Sequence, residues 1–253
     1  DEMMEHCDAV TVLRDGNIIG SLDKEEFDGN KMKEMMVGRE VSGNYYRNDN
    51  DSYEDEITLK AHCITTRKDL LCFNLELHKG EVLGIGGLSE CGMHTVGKAL
   101  FGYEKILDGK VTVGAKQTVV KNPETAIANG IAYTSKDRDH ESLGLAGSIR
   151  DNIASTGYYF NRIFGPIISF GKEKKFVQNQ IDTLELKCAS QYHSVNTLSG
   201  GNKQKVVFGK WIGSEADVLI LDCPTRGIDI GVKASMYQLI YKMKKQGKSI
   251  ILI

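Results

Sequence analysis

The sequence predicts an α/β fold built on a mostly parallel sheet covered by helices. Apolar runs of strand length alternate with stretches of helical periodicity. Val218-Leu219-Ile220-Leu221 is continuously apolar, as a strand buried on both faces must be. Val82-Leu83-Gly84-Ile85 runs into a cluster of glycines and then into a helix-like segment, the order expected where a strand feeds a covering helix.

Taken in order, Ala9-Val10-Thr11-Val12-Leu13 has strand composition, and Asp15-Gly16 is a hairpin signal leading into Ile18-Ile19. A helix follows over about 30–37, stopped by Gly38. Residues 42–56 are polar and acidic with few aliphatic side chains, which is linker composition. After the 82–85 strand, a helix is predicted from about Thr95 to Phe101, ending at Gly102. Asp108-Gly109 beside Val111-Thr112-Val113 suggests another hairpin. Pro123 to Asn129 reads as a short helix closed by Gly130, with Ile131-Ala132-Tyr133 as the next strand. Over 172–187, Phe176, Val177, Ile181 and Leu184 fall on one helical face. Residues 232–246 read as a helix leading into a last strand.

Composition narrows the function classes. The chain has 253 residues, enough for one large domain or two small ones. Hydrophobic residues at 41% and charged residues at 26% are ordinary for a soluble globular protein with a sizeable core. A net charge of −2 leaves no basic stripe, so nucleic acid is not an expected partner. No apolar run approaches the ~20 residues that span a bilayer, so a membrane role would be peripheral. Cys7, Cys63, Cys72, Cys91, Cys188 and Cys223 are scattered without a C-x-x-C pair. That spacing predicts neither a disulfide framework nor a zinc site, and a reduced cytoplasmic chain is the expectation. The chain starts at Asp1 without a leader pattern and stops inside Ser249-Ile250-Ile251-Leu252-Ile253, so both ends read as cuts through a longer protein.

Three segments carry chemistry. Gly87-Leu88-Ser89-Glu90-Cys91-Gly92 follows a strand and precedes a helix, where glycines let backbone N–H groups face phosphates at a helix N-terminus. Such turns also occur where nothing binds. Leu198-Ser199-Gly200-Gly201-Asn202-Lys203-Gln204-Lys205 opens a second helix, with Ser199 as its cap and two glycines that permit close approach of a ligand. The apolar run 218–221 ends in Asp222, a carboxylate placed to orient Mg²⁺. Each has a plain structural reading as a cap or a turn. Their order and separation in one chain make that coincidence improbable.

With these segments together, the sequence resembles the ATP-binding-cassette (ABC) ATPases. L-S-G-G-N-K-Q-K is similar to their signature, and V-L-I-L-D-C-P-T-R-G-I-D-I-G to their second nucleotide motif running into the D-loop. The asparagine after L-S-G-G and the phrase P-T-R-G-I-D-I-G resemble the fused two-cassette subunits of ribose, galactose and xylose importers. C-D-A-V-T-V-L-R-D-G and M-M-V-G-R-E resemble the end of the first cassette of such subunits. The resemblance implies a P-loop NTPase-like parallel sheet with an antiparallel β subdomain and an α-helical signature subdomain at about 137–210. It implies residues 1–41 as the tail of a first cassette, 42–56 as a linker and 57–253 as a second cassette.

Carried over by position, the resemblance assigns Gly87, Leu88, Ser89, Glu90, Cys91, Gly92, Met93, His94 and Thr95 to the phosphates of ATP. Asp222 and the residue at position 94 would face Mg²⁺. Ser199, Gly200, Gly201 and Asn202 would meet the γ-phosphate of a nucleotide held by the opposite cassette, with Asp229 across that interface. The implied partners are a first cassette, a membrane permease and, indirectly, an extracellular sugar-binding protein, at the cytoplasmic face of the membrane. The aromatic residue that stacks on adenine in the family is not identifiable here.

The departures fall on the chemistry. After Gly92 the family has Lys or Arg and then Ser or Thr; this chain has Met93 and His94. Met93 cannot donate to phosphate, a loss of about 1.5–3 kcal/mol for a charge-assisted hydrogen bond. His94 is a poor substitute for a hydroxyl on a hard cation, and Thr95 could replace it only with a shift of helix register. Glu90 adds negative charge to a loop meant for an anion. Cys223 stands where a Glu orients water, and losing a general base costs about 10²–10⁴ in rate. Tyr133-Thr134-Ser135-Lys136-Asp137-Arg138 matches a phrase that usually reads like P-E-D-R, so Lys136 replaces a residue expected near Mg²⁺.

The expectation is a degenerate nucleotide site beside an intact signature. A catalytically silent regulatory or structural module is the alternative for the fragment alone. A stand-alone P-loop kinase or GTPase would not need L-S-G-G. The aromatic and aliphatic stretch 158–170 reads either as the helical subdomain's own core or as a seat for a permease helix.

Overall fold

The computed structural model describes residues 2–14, 16–38, 52–88, 90–160, 169–214 and 216–253. They divide into two units, Asp1–Asp49 with Asp229–Gln238, and Asn50–Ile228 with Leu239–Ile253.

In the first unit, α1 (Glu2–His6) precedes β1 (Ala9–Arg14) and β2 (Asn17–Asp23), which pair antiparallel, and α2 (Gly29–Val37) follows. The predicted hairpin is present, with Gly16 at φ +79°; Asp15 lies outside the described residues. Asp28 caps α2 by accepting the Asn30 N–H at 2.8 Å. Gly38 ends it in the left-handed region, its N–H donating to Glu34 O at 2.7 Å. Val12, Leu22 and Met32 are buried. Most of the expected linker, 42–51, lies outside the described residues.

The second unit contains two sheets. Its elements in order are β3 (Ile57–Thr65), β4 (Phe73–His78), β5 (Val82–Gly84), α3 (Met93–Leu100), β6 (Asp108–Val113), β7 (Thr118–Val119), α4 (Pro123–Ala128), β8 (Ile131–Thr134), α5 (Ile149–Phe160), α6 (Phe170–Thr183), α7 (Gly200–Ile212), β9 (Val218–Leu221), α8 (Ile230–Lys245, begun in the first unit) and β10 (Ser249–Leu252). One sheet is parallel throughout, in the order β5-β10-β9-β8, and the other is antiparallel, in the order β4-β3-β6-β7. All residues of β8 and β9 are buried, as the apolar runs require. The helices α5, α6 and α7 enclose a separate core around Ile149, Ile153, Val177, Val206 and Val207. The expected α/β architecture, with an antiparallel β portion and a helical portion, is what forms.

Several expectations need correction. Asp108-Gly109 is not a hairpin turn but the first two residues of β6. Gly109 sits at φ +83° opposite an irregularity in β3, where an added Cβ would stand 2.2 Å from the Cys63 carbonyl oxygen. Glycine is used there for close backbone approach. Cys63 and Cys72 form a disulfide, contrary to the expectation of six free thiols. The antiparallel pairing of β3 and β4 brings together cysteines too far apart for a C-x-x-C pattern to flag.

Helix α3 begins two residues earlier than predicted, because Gly92 at φ +89° already offers its carbonyl to the Val96 N–H at 3.1 Å. The helix predicted over 172–187 runs over Phe170–Thr183 and stops early. Glu185, at φ +49°, donates its N–H to Asp182 O while Leu186 donates to Ile181 O, the crossed pair that terminates a helix. Phe176, Val177, Ile181 and Leu184 are buried on the predicted face. Residues 161–168 of the aromatic and aliphatic stretch lie outside the described residues.

Candidate functional site

Parallel strands present their carboxyl ends at one edge of a sheet, where ligands of open α/β folds bind. Here that edge is tied together by backbone bonds. Ile85 N–H donates to Leu252 O at 2.7 Å, Asp222 N–H to Thr134 O at 2.9 Å and Cys223 N–H to Ile253 O at 2.9 Å. The loop after β5 and the residues after β9 are thereby fixed to one frame.

The glycine loop rises from β5 into α3. Gly87, Leu88, Glu90 and Cys91 are exposed, and Glu90 takes φ +67°. Cys91 N–H turns back to Leu88 O at 3.1 Å. Ser89 lies outside the described residues. Met93 opens α3, with His94 and Thr95 in its first turn. Thr95 does not stand in for a hydroxyl beside Asp222. Its Oγ1 donates to Asp69 Oδ2 at 2.5 Å.

Asp222 is the centre of the predicted set. Its side chain is fully buried, and His94 Nδ1 lies 2.7 Å from Oδ1. The Tyr133 hydroxyl donates to Oδ2 at 3.4 Å. Burial pushes the Asp222 carboxyl above the usual range, against the pull of His94. Burial and the neighbouring Asp222 charge push the Cys223 thiol up, while exposed Lys136 pulls it partly back. Burial also drives the Tyr133 phenol above its usual value, so it serves Asp222 as a neutral donor.

His94, Asp222 and Cys223 bring their donor atoms within 4.8 Å of one another. The Mg²⁺ implied by the resemblance does not fit this set, since one donor is nitrogen and one is sulfur, and Mg²⁺ demands oxygen in near-octahedral array.

The second predicted group lies at the start of α7. Ser199 caps this helix, accepting the Asn202 N–H at 3.4 Å and its Nδ2 at 3.0 Å. Asn202 Oδ1 in turn accepts the Lys187 N–H at 3.1 Å. Arg138 Nη1 donates to Gly200 O at 3.0 Å, and Gly201 is buried. Asp229, predicted for the D-loop, caps α8 by accepting the Val232 N–H at 3.0 Å.

Sequence reasoning missed Asp69, Lys98 and Glu141, and gave Tyr133 and Arg138 no roles. Lys98 Nζ donates to Glu141 Oε1 at 2.8 Å, and the Ser135 hydroxyl donates to the same carboxylate. Burial raises Glu141, but Lys98 and Ser135 hold it below its ordinary range. Lys98 was visible only as the one cation of its helix. Asp69 carries no pattern, because it lies in an irregular loop between β3 and β4.

Comparisons with known proteins bear on the family and the fold. The ABC transporter family model matches residues 70–226. The ribose import ATP-binding protein RbsA of Shouchella clausii is 34% identical over 253 residues, covering 100% of this chain and 50% of that protein. Its counterpart in Halalkalibacterium halodurans is 36% identical with the same coverages. The chain thus spans about half the length of the curated relatives it matches. A dimeric ATP-binding cassette in a post-hydrolysis state, bound to ADP and Pi, aligns with TM-score 0.66 over 77% of this chain and 86% of that one. At 19% identity this likeness bears on the fold alone. With the motifs at the sheet edge and the family model agreeing over residues 70–226, the chain belongs to the ABC transporter family.

Proposed function

We propose that this chain is the end of a first cassette, a linker and most of a second cassette, from a subunit that energises import of a monosaccharide or similar solute. The ribose-import relatives support that substrate class. In this reading the second cassette's own nucleotide site is degenerate. One observation carries the claim: His94 Nδ1 lies in hydrogen-bond contact with Asp222 Oδ1 at 2.7 Å, so the carboxylate at the end of β9 is already engaged by a protein side chain. Met93 withholds the cation that would meet phosphate, and Cys223 withholds the carboxylate that would orient water.

The α7 end has the opposite character. Ser199, Gly200, Gly201 and Asn202 keep the L-S-G-G-N order at a capped helix N-terminus, a setting that favours an anion. We assign this end to the γ-phosphate of ATP held by the other cassette. The chain then works as a clamp that completes one hydrolytic site, with Asp229 across the same interface. The partners are the first cassette, a permease and, through it, an extracellular sugar-binding protein, at the cytoplasmic face of the membrane. Among the described residues no helix is long and apolar enough to cross a membrane, in keeping with peripheral attachment.

The test is equilibrium binding of Mg-ATP to this chain beside a Met93→Lys, His94→Ser variant. The expected result is no measurable binding by the parent and recovery in the variant. Tight binding by the parent would overturn the degenerate reading. In the assembled transporter, Ser199→Arg is expected to abolish transport, and near-normal transport would remove the clamp role. A catalytically silent regulatory module is the second reading, favoured by the same Met93, His94 and Cys223. It predicts that Ser199→Arg leaves ATP turnover by the first cassette intact.

A further inference from the structure

The donors around Asp222 disfavour Mg²⁺ and favour another class of ion. Three conditions set what a divalent site accepts: donor chemistry, donor spacing, and rigidity of the frame that holds the donors. Here the donors are an imidazole, a carboxylate and a thiol, with atoms within 4.8 Å of one another. Imidazole and thiolate select borderline transition ions over Mg²⁺ or Ca²⁺.

The frame is firm. Asp222 follows a fully buried strand, and its side chain is itself buried. Cys223 is the next residue and is pinned through its N–H to Ile253 O. His94 arrives from a different element, in the first turn of α3. The second oxygen of Asp222 is met by the Tyr133 hydroxyl, as outer partners of metal-binding carboxylates commonly are. Metal–ligand bonds of about 2.0–2.3 Å place tetrahedral donors about 3.3–3.8 Å apart. The His94–Asp222 separation of 2.7 Å must therefore open by roughly half an ångström or slightly more.

We propose that His94, Asp222 and Cys223 form a three-donor site for a borderline divalent transition ion of the Zn²⁺ class. Three protein donors leave one tetrahedral position for water or an oxyanion, as in open rather than closed zinc sites. The site deepens the reading of this junction as a degenerate nucleotide site and takes its location from that reading.

The experiment titrates the full, chelator-stripped chain with Zn²⁺ alone, without nucleotide, against a competing fluorescent chelator. Co²⁺ serves as a spectroscopic stand-in. The expected result is one Zn²⁺ per chain, undisplaced by excess Mg²⁺, and a thiolate-to-Co²⁺ charge-transfer band. His94→Ala and Cys223→Ser are each expected to weaken Zn²⁺ binding by at least about 10-fold, the scale on which even outer partners count. Cys7→Ser is expected to leave it unchanged. The cobalt band reads sulfur ligation in the unsubstituted chain, and its loss in folded Cys223→Ser but not in Cys91→Ser assigns the sulfur to Cys223. Absence of the band and of stoichiometric binding in the parent overturns the proposal. So does binding that folded Cys223→Ser and His94→Ala retain in full. A blank zinc titration alongside recovered ATP binding in Met93→Lys, His94→Ser removes the metal site and spares the nucleotide reading. Zinc binding alongside tight Mg-ATP binding by the parent does the reverse.

Discussion

His94 Nδ1 and Asp222 Oδ1, 128 positions apart in the chain, meet at 2.7 Å beside the phosphate-type loop. The carboxylate is fully buried, so its partners matter more than their number suggests. His94→Ala removes the shorter bond and leaves a buried oxygen underserved, which costs about 1–3 kcal/mol. Tyr133→Phe removes only the 3.4 Å contact, at the weak end of hydrogen-bond geometry, and is expected to cost less than about 1 kcal/mol. Urea denaturation of both variants checks the ranking. Equal costs would show that His94 is not the principal partner.

Gly102 tests the connection out of α3. It sits at φ +74°, and a Cβ there would lie 2.7–2.9 Å from the Asn122 backbone. Asn122 itself caps α4 by accepting the Thr125 N–H at 2.8 Å. Gly102→Ala would combine a left-handed backbone penalty of about 1–2 kcal/mol with a clash that flexible side chains cannot relieve. The expected loss is about 3 kcal/mol by chemical denaturation. A near-neutral result would mean the two loops separate more easily than their contact implies.

How much of this was readable in advance follows from range. β9 was legible because full burial demands an unbroken apolar run, and β8 because Ile131-Ala132-Tyr133 follows a short helix closed by Gly130. The loop at 87–92 was legible because glycines follow a strand directly. Gly109 misled because the pair Asp-Gly signals a turn, whereas close approach to Cys63 O demands glycine for a different reason. The Cys63–Cys72 disulfide depended on strand register, which spacing does not reveal. The His94–Asp222 bond could be anticipated only as two positions of a family pattern, because no local rule links α3 to the end of β9. Asp69 offered no signal at all.

Arg138 ties the wide turn at Arg138–Ser142 to the start of α7 through Gly200 O at 3.0 Å. It also holds Asp139, which lies 3.6 Å from Lys203 Nζ in the same helix. A hydrogen bond to a charged group contributes about 1.5–3 kcal/mol, and helix ends open locally on that energy scale. Arg138→Ala is therefore expected to speed amide exchange in the first turn of α7 by about 10-fold or more. Exchange in β8 and β9 is expected to stay unchanged. Unaltered exchange at α7 would assign its order to the Ser199 cap and the Asn202–Lys187 bond.

His140 reports on the electrostatics of that same turn. Its Nδ1 lies 2.9 Å and 3.0 Å from the two Asp137 oxygens, and Asp137 also accepts the His140 backbone N–H at 3.2 Å. The Asp137 hydrogen bond and charge raise the imidazole above its ordinary value, with a smaller contribution from Asp139. Conversely, His140 holds Asp137 below the usual carboxylate range. The signs then follow. The raised histidine stabilises the fold fully below its unfolded value of about 6.5 and loses that contribution as pH rises through its folded value. The depressed aspartate contributes above its unfolded value of about 3.9 and loses it as pH falls through its folded value. Both groups are charged together between these limits. An NMR titration of the His140 ring is expected to give a midpoint above 6.5, and Asp137→Asn to bring it down toward about 6.5. An unchanged midpoint in Asp137→Asn would show that the side chains do not pair in solution, leaving the turn held by Lys98, Ser135 and Arg138.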